Sequence, residues 1–252
     1  MFPLRDDNPT ELFPILTILV IASCIGVWSY VQGAGLSQEA LMGSICALGA
    51  IPAEITGQVT PGADDAGPCN LGGLRWEALF TSMFLHGGWM HLIGNLWFLW
   101  IFGNNVEDSM GHLRFLVFYL LTGLAAATAH VLVDPGSTVP MVGASGAISG
   151  VMGAYLVLYP RARVDTLFWL LVVIRVVPLP AWVLLGYWIV LQLAGSTLLA
   201  AGGGGGVAYA AHIGGFVAGM LLVFPFRNQK LVTAKRRGVV LPRDQIDHGG
   251  WW

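Results

Sequence analysis

Six apolar stretches constrain this chain more than any other feature: residues 12–31, 88–103, 115–133, 145–159, 181–199 and 207–226. A bilayer core about 30 Å thick takes about 20 residues of α-helix to cross, so each stretch is at or near spanning length. Backbone N–H and C=O groups find no water in lipid, and a helix satisfies them within the segment. Composition points the same way, with 56% hydrophobic and 10% charged residues and a mean hydropathy of +0.71, where soluble domains average about 25% charged. The sequence predicts an all-α membrane protein, a single six-transmembrane-helix bundle over residues 12–227. A short segment (1–11) precedes it and a tail (228–252) follows, and no linker, repeat or change of composition marks a second domain. The first stretch can also be read as a secretory signal, with Gly33, Ala34 and Gly35 as a small-residue cleavage region. It exceeds the usual apolar core of about 7–15 residues, and its start is not cationic overall, which favours a span.

Six spans place both termini on one side of the membrane. Arg5, Arg114, Arg161, Arg163, Arg175 and the six basic residues between positions 227 and 243 then share that side, and only Arg75 lies opposite. Positive charge marks the cytoplasmic face, so both termini are expected there, in a bacterial inner membrane, with Ser145 near the outer face. The net charge of −2 says little about partners. The lipid bilayer is the expected surroundings and nucleic acid is not an expected partner. Residues 167–177 are apolar but too short to cross and include Arg175, which fits an interfacial hairpin or a segment folded under the bundle. The basic run 230–237 reads as attraction to anionic inner-leaflet lipids. Cys24 falls inside the first span, where a small apolar core role is the default. Cys46 and Cys69 share a Gly- and Pro-rich outer loop (32–78); an oxidising compartment permits a disulfide there, but two loop cysteines need not meet.

The fourth stretch, GASGAISGVMGAYLVLYP at 143–160, opens with a serine and carries Gly146, Ser149, Gly150 and Gly153 on one helical face. Small residues let helix backbones approach closely in lipid. From Ser145 to Tyr159 the helix rises roughly 22 Å, short of the bilayer core, so Ser145 lies below one surface in a pocket that protein or water has to fill. Other polar residues fall in the spans: His91 and Asn95, four apart on one face of the second, and His212 in the sixth. Each alone suits hydrogen bonding between helices. Together with Ser145 they form the set that acyl transfer needs. His212 can take the Ser145 proton as a base, and the rate should fall at pH low enough to protonate it. Asn95, His91 and the Ser145 backbone N–H can stabilise the oxyanion, helped by the helix dipole. No Asp or Glu lies in the core of a span, so the expected arrangement is a Ser–His dyad.

GASG around Ser145, HLIGN with His91 and Asn95, and AHIGGFVAG with His212 resemble the rhomboid intramembrane serine proteases, from about Thr81 through the last span. Three such motifs in this order across six spans are specific where each alone is not. The resemblance implies a six-helix bundle with an outward-opening hydrophilic cavity, Ser145 as nucleophile, His212 as base, and His91 with Asn95 in the oxyanion hole, with Gly143 and Gly146 of the GASG motif supporting. It implies substrates that are single-pass transmembrane proteins, cut near the outer surface. His86, in FLHGG, matches a family histidine with a positional role.

Two departures stand out. Many family members carry Trp-Arg where this chain has Glu77 and Ala78, with Trp76 one place early, which leaves the anchoring of the first outer loop in question. Ser149 is small where some members place an aromatic against the catalytic histidine. A non-catalytic scaffold of the same fold is the main alternative, although such proteins usually lose the serine or histidine that this chain retains. A metalloprotease would need a pattern such as HExxH, which HGGWMH at 86–91 lacks, and no cofactor or metal is implied. A transporter would call for intramembrane carboxylates or an inverted repeat. The five glycines at 202–206 suit a flexible connector or a mobile cap over the site.

Overall fold

The computed structural model describes residues 1–59, 68–170, 173–200 and 208–239. The glycine run at 202–206 and the terminal tryptophans Trp251 and Trp252 lie outside them. The chain is mostly helical, in the order β1 (Phe2–Asp6), α1 (Ile15–Gly26), α2 (Gln38–Leu48), α3 (Pro52–Thr56), α4 (Ala78–Thr81), α5 (Trp89–Met110), α6 (His112–Val133), α7 (Ser145–Leu158), β2 (Arg163–Leu170), β3 (Val173–Pro180), α8 (Ala181–Ala200), α9 (Tyr209–Phe226) and α10 (Gln229–Arg236). Among the described residues three helices are long and apolar enough to cross a membrane: α6, α8 over Ala181–Leu198, and α9. The apolar segments Ile15–Val31 and Ser145–Leu158 are shorter. α5 has the length but ends in charged and amide side chains.

The short α7 is the hub. Only Ser145, Leu156 and Val157 in it are not fully buried, and α5, α6 and α9 pack around it. Missing side chains make that packing possible. A Cβ on Gly153 would strike the Phe216 carbonyl, and Cβ atoms on Gly215 and Gly219 would strike the carbonyls of Gly146 and Gly150. Gly146 and Gly150 themselves face Ala126 and Thr122 of α6. The small-residue face expected from the sequence thus serves two neighbours, α6 through its Cα atoms and α9 through its carbonyls.

The all-α expectation is corrected by a three-stranded antiparallel sheet, order β1-β2-β3. The apolar segment around 167–177 is its hairpin, rich in the β-branched valines that suit strands, and the N-terminal segment pairs onto it, Phe2 opposite Leu167 and Asp6 opposite Val164. Periodicity within one segment cannot show a pairing between residues some 160 positions apart. The loop that follows the first apolar stretch likewise contains α2 and α3.

That loop is anchored despite the absent Trp-Arg pair. Arg75 donates from Nε (2.9 Å) and Nη2 (2.6 Å) to Oε2 of the buried Glu54, and from Nη2 to the Cys46 carbonyl at 2.8 Å. The Gly72 N–H donates to the other Glu54 oxygen at 2.7 Å. A disulfide joins Cys46 to Cys69, with Cα atoms 5.3 Å apart, and a backbone bridge from Ala50 to Met141 ties the loop to the segment leading into α7. Cys24 is a free thiol, fully buried in the core, as expected.

At the opposite end of α7, the tail turns inward. Lys235 pairs with Asp108 and donates to the Pro9 carbonyl at 2.9 Å, and Arg236 donates from Nε to the Leu158 carbonyl at 2.6 Å. These two residues of the basic run, expected to face lipid, are bound to protein groups, although Arg236, like Lys230 and Arg237, remains exposed.

Candidate active site

Ser145 opens α7, and its hydroxyl lies 2.8 Å from Nε2 of His212 in the first turn of α9. The two are 67 residues apart in sequence. They meet because Gly215, about one turn after His212, lets α9 sit against the carbonyl of Gly146, the residue that follows Ser145. Each is partly exposed, so a reactant can reach the pair. The residue preceding α7, Ala144, makes no side-chain cap, and the first N–H groups of a helix favour an anion.

His91 and Asn95 lie one turn apart on α5. The Gly87 N–H donates to His91 Nδ1 at 3.2 Å, which leaves the proton on Nε2. That nitrogen would be 2.7 Å from a Cβ on Gly143, and Asn95 Nδ2 3.6 Å from it. Gly143 has φ +126, a conformation that L side chains rarely adopt, so glycine is required there on both counts. Its N–H donates to the Ser82 carbonyl at 2.9 Å, which fixes the approach to Ser145. Asn95 Nδ2 is buried with no hydrogen-bond partner among the described residues, an unusual state for an amide donor. A narrow cavity lies beside Ser145, walled in part by Gly123, Ala126, Gly143, Gly146 and Ala147.

His86 is fully buried and packs edge-on to His91, ring centroids 5.2 Å apart. Its backbone is held by Gln32, whose amide nitrogen donates to the His86 carbonyl and whose amide oxygen accepts the His86 N–H, both at 2.8 Å. Ser149 is buried and donates to the Ser145 carbonyl at 2.6 Å. The aromatic missing at that position is supplied from another helix: the Trp188 ring of α8 lies 5.9 Å from the His212 ring and stacks on Phe216 at 5.8 Å.

Sequence reasoning missed three residues here. Gln192 of α8 places Oε1 2.8 Å from His212 Nδ1, and Trp188 and Gln32 act as just described. A polar Gln in an otherwise apolar span was a visible signal for the first; nothing in the sequence pairs Trp188 with His212 or Gln32 with His86.

A family model described as Rhomboid domain matches residues 74–229. Among curated proteins, the chain is 33% identical to RHOMBOID-like protein 5 of Arabidopsis thaliana over 152 residues, 60% of this chain and 44% of that protein. It is 42% identical to Rhomboid protease GluP of Bacillus subtilis over 82 residues, 32% of this chain and 16% of that protein. With Rhomboid protein 1, mitochondrial, of Saccharomyces cerevisiae, it shares 30% identity over 148 residues, 57% of this chain and 40% of that protein. In each case the chain spans less than half the relative's length.

Proposed function

The chain belongs to the rhomboid family, whose members include proteins named as proteases, and from that premise we propose that it is an intramembrane serine endopeptidase. The observation that carries the proposal is the 2.8 Å contact between Ser145 Oγ and His212 Nε2 at the uncapped start of α7. Nε2 accepts the hydroxyl proton as Oγ attacks a peptide carbonyl, and the resulting oxyanion is received by the Ser145 N–H, the unpartnered Asn95 amide and the His91 Nε2–H. His212 then returns the proton to the leaving amine, and water completes hydrolysis of the acyl-enzyme. His86 holds His91 in place, and Gly143 leaves the space that His91 needs.

In this reading the six apolar segments form a six-span bundle, residues 12–227, with a cavity open to the outer face, and both termini are cytoplasmic. The basic residues near the Leu158 end of α7 and the disulfide near its Ser145 end support that orientation. The setting is a bacterial inner membrane. The substrates are single-pass membrane proteins cut near the outer surface, where Gly or Pro loosens the substrate helix. The Gly- and Ala-lined cavity beside Ser145 suits small side chains at the cut.

The test is cleavage of a fluorogenic transmembrane peptide by the purified protein in liposomes. Ser145→Ala and His212→Ala should each abolish turnover, and the double variant should be no worse than either, because a dyad acts as a unit. Turnover in Ser145→Ala at the wild-type rate would overturn the nucleophile assignment.

A further inference from the structure

His212 is engaged at both ring nitrogens, by Ser145 at Nε2 and by Gln192 at Nδ1, each at 2.8 Å. A base that takes a proton at Nε2 has to carry its own proton at Nδ1. The orientation of the Gln192 amide decides whether it does. Its nitrogen lies 3.4 Å from the Trp188 carbonyl, one turn back along α8. That carbonyl can only accept, so the NH2 end belongs there and the oxygen faces the imidazole. An amide oxygen can only accept in turn, so the hydrogen of the Nδ1 contact sits on His212.

We infer that Gln192 is the positioning residue of this site, its amide oxygen holding His212 as the Nδ1–H tautomer so that Nε2 is left free to accept the Ser145 proton. The inference rests on the proteolytic reading above and deepens it. It places a neutral amide where serine hydrolases of the triad type place a carboxylate. A neutral acceptor suits the location, because an unpaired carboxylate in an apolar span is costly. The titratable groups acting electrostatically on His212 are His91 of α5 and His130 of α6; α8 contributes the amide of Gln192 and the indole of Trp188.

Both restraints on the ring therefore come from one helix. α8 is the least buried of the three long apolar helices, with Trp182, Val190 and Leu198 each more than half exposed. It packs against α9 and, more lightly, α7. Its seating against α9 thus sets both the tautomer and the tilt of the base, whereas Ser145, His91 and Asn95 are fixed by other helices.

Two substitutions test this. Gln192→Met keeps the length of the side chain and removes the acceptor; Gln192→Glu keeps an acceptor and adds charge. In Gln192→Met, kcat should fall about 10–100-fold, the loss typical when a group that orients a histidine is removed, with KM and the unfolding midpoint unchanged. In ¹⁵N-histidine NMR of detergent-solubilised protein, assigned by comparison with His212→Ala, the wild type should show His212 protonated at Nδ1, and Gln192→Met should show the other tautomer populated. In Gln192→Glu, activity should return in mild base and the acid limb of the pH–rate profile should move to higher pH, because a carboxylate favours the imidazolium. A purely structural Gln192 would move neither the tautomer nor the pH profile. Wild-type kcat with an unchanged tautomer in Gln192→Met would overturn the assignment while leaving the protease reading intact. If Gln192→Met shifts the tautomer but the wild-type protein neither cleaves peptides nor reacts with a fluorophosphonate, the protease reading falls and the contact survives only as a hydrogen bond. If Gln192→Met fails to fold, a pH profile of Gln192→Glu identical to wild type overturns the assignment.

Discussion

At the Ser145 end of α7 the two residues of the dyad are partly open, whereas at the Leu158 end two carboxylates are buried and each is held by several donors. Glu107 and Asp108 of α5 are fully buried. Glu107 accepts from the Leu16 N–H (2.9 Å), the Thr17 N–H (2.8 Å) and the Thr17 hydroxyl (2.7 Å), and it pairs with His112 at 2.6 Å. It caps α1 from another helix, with negative charge at the positive end of the dipole. Asp108 accepts from the Glu11 and Leu12 N–H groups at 3.1 and 2.7 Å and pairs with Lys235. Apart from the Glu107–His112 pair, five residues apart, each of these contacts ties together segments 90 or more residues apart in sequence. At the other end, the Asn95 amide nitrogen has no partner among the described residues, and Ser145 and His212 are each partly exposed. A group whose bonding capacity is filled, as in these carboxylates, can only hold the fold, since any reactant would first have to break bonds already made. An unsaturated one has bonding capacity left for a reactant.

The contrast breaks first if Glu107 is replaced. Glu107→Ala should cost about 3–5 kcal/mol of stability, the usual result of removing one side of a buried ionic network, read as a lower unfolding midpoint in detergent titration. Whatever protein stays folded should keep its kcat. A loss of kcat in fully folded Glu107→Ala would mean that the two ends of α7 are functionally coupled.

Asn95→Ala is the converse. If the amide receives the oxyanion, the rate should fall roughly 10²–10³-fold, with the unfolding midpoint little changed because the amide nitrogen has no hydrogen-bond partner among the described residues. A stability loss with an unaltered rate would make Asn95 interhelical glue and place it with the Glu107 cluster.

The smallest effect belongs to Asp6 of β1, which accepts from the Tyr155 hydroxyl at 2.6 Å and the Asn105 amide at 2.8 Å. Burial pushes its carboxyl from 3.8 up to about 6, against the opposing pull of the Tyr155 hydrogen bond. The folded protein therefore binds this proton more readily than the unfolded chain. The stabilising contribution of Asp6 is complete below about pH 4 and is lost as pH rises through about 6. Asp6→Asn, which keeps an acceptor for Tyr155 and carries no charge, should remove that slope. The difference in unfolding midpoint between variant and wild type should thus grow in favour of the variant from pH 4 to pH 7. An equal difference at both pH values would show that the Asp6 carboxyl does not titrate with folding.

The legible part of this molecule and the illegible part divide along the same contrast. His91, Asn95, Ser145 and His212 stood out in the sequence because polar side chains in apolar runs are costly, and the glycines of α7 stood out by their spacing. Gln192 obeys the same rule, and its partner is the histidine already singled out. Glu107 and Asp108 escaped for the opposite reason. Charge at 107 and 108 reads as the end of a span, and the second apolar stretch was bounded at Gly103. The helix continues to Met110 because the carboxylates find backbone donors at residues 11–17, nearly a hundred positions away.

By itself the sequence determined the apolar segments, the short helix that begins at Ser145, the small-residue faces that let helices close on it, and the reactive residue types. Those depend on period, composition and side-chain chemistry, which are local properties. Only the tertiary structure decided that the N-terminus forms a strand against a hairpin 160 residues away, that Cys46 meets Cys69, that Arg75 anchors the loop on Glu54, and that Trp188 and Gln192 of α8 hold His212. Each of these is a contact between segments whose own patterns are compatible with many partners, and the choice among partners is made by the packing of the whole chain.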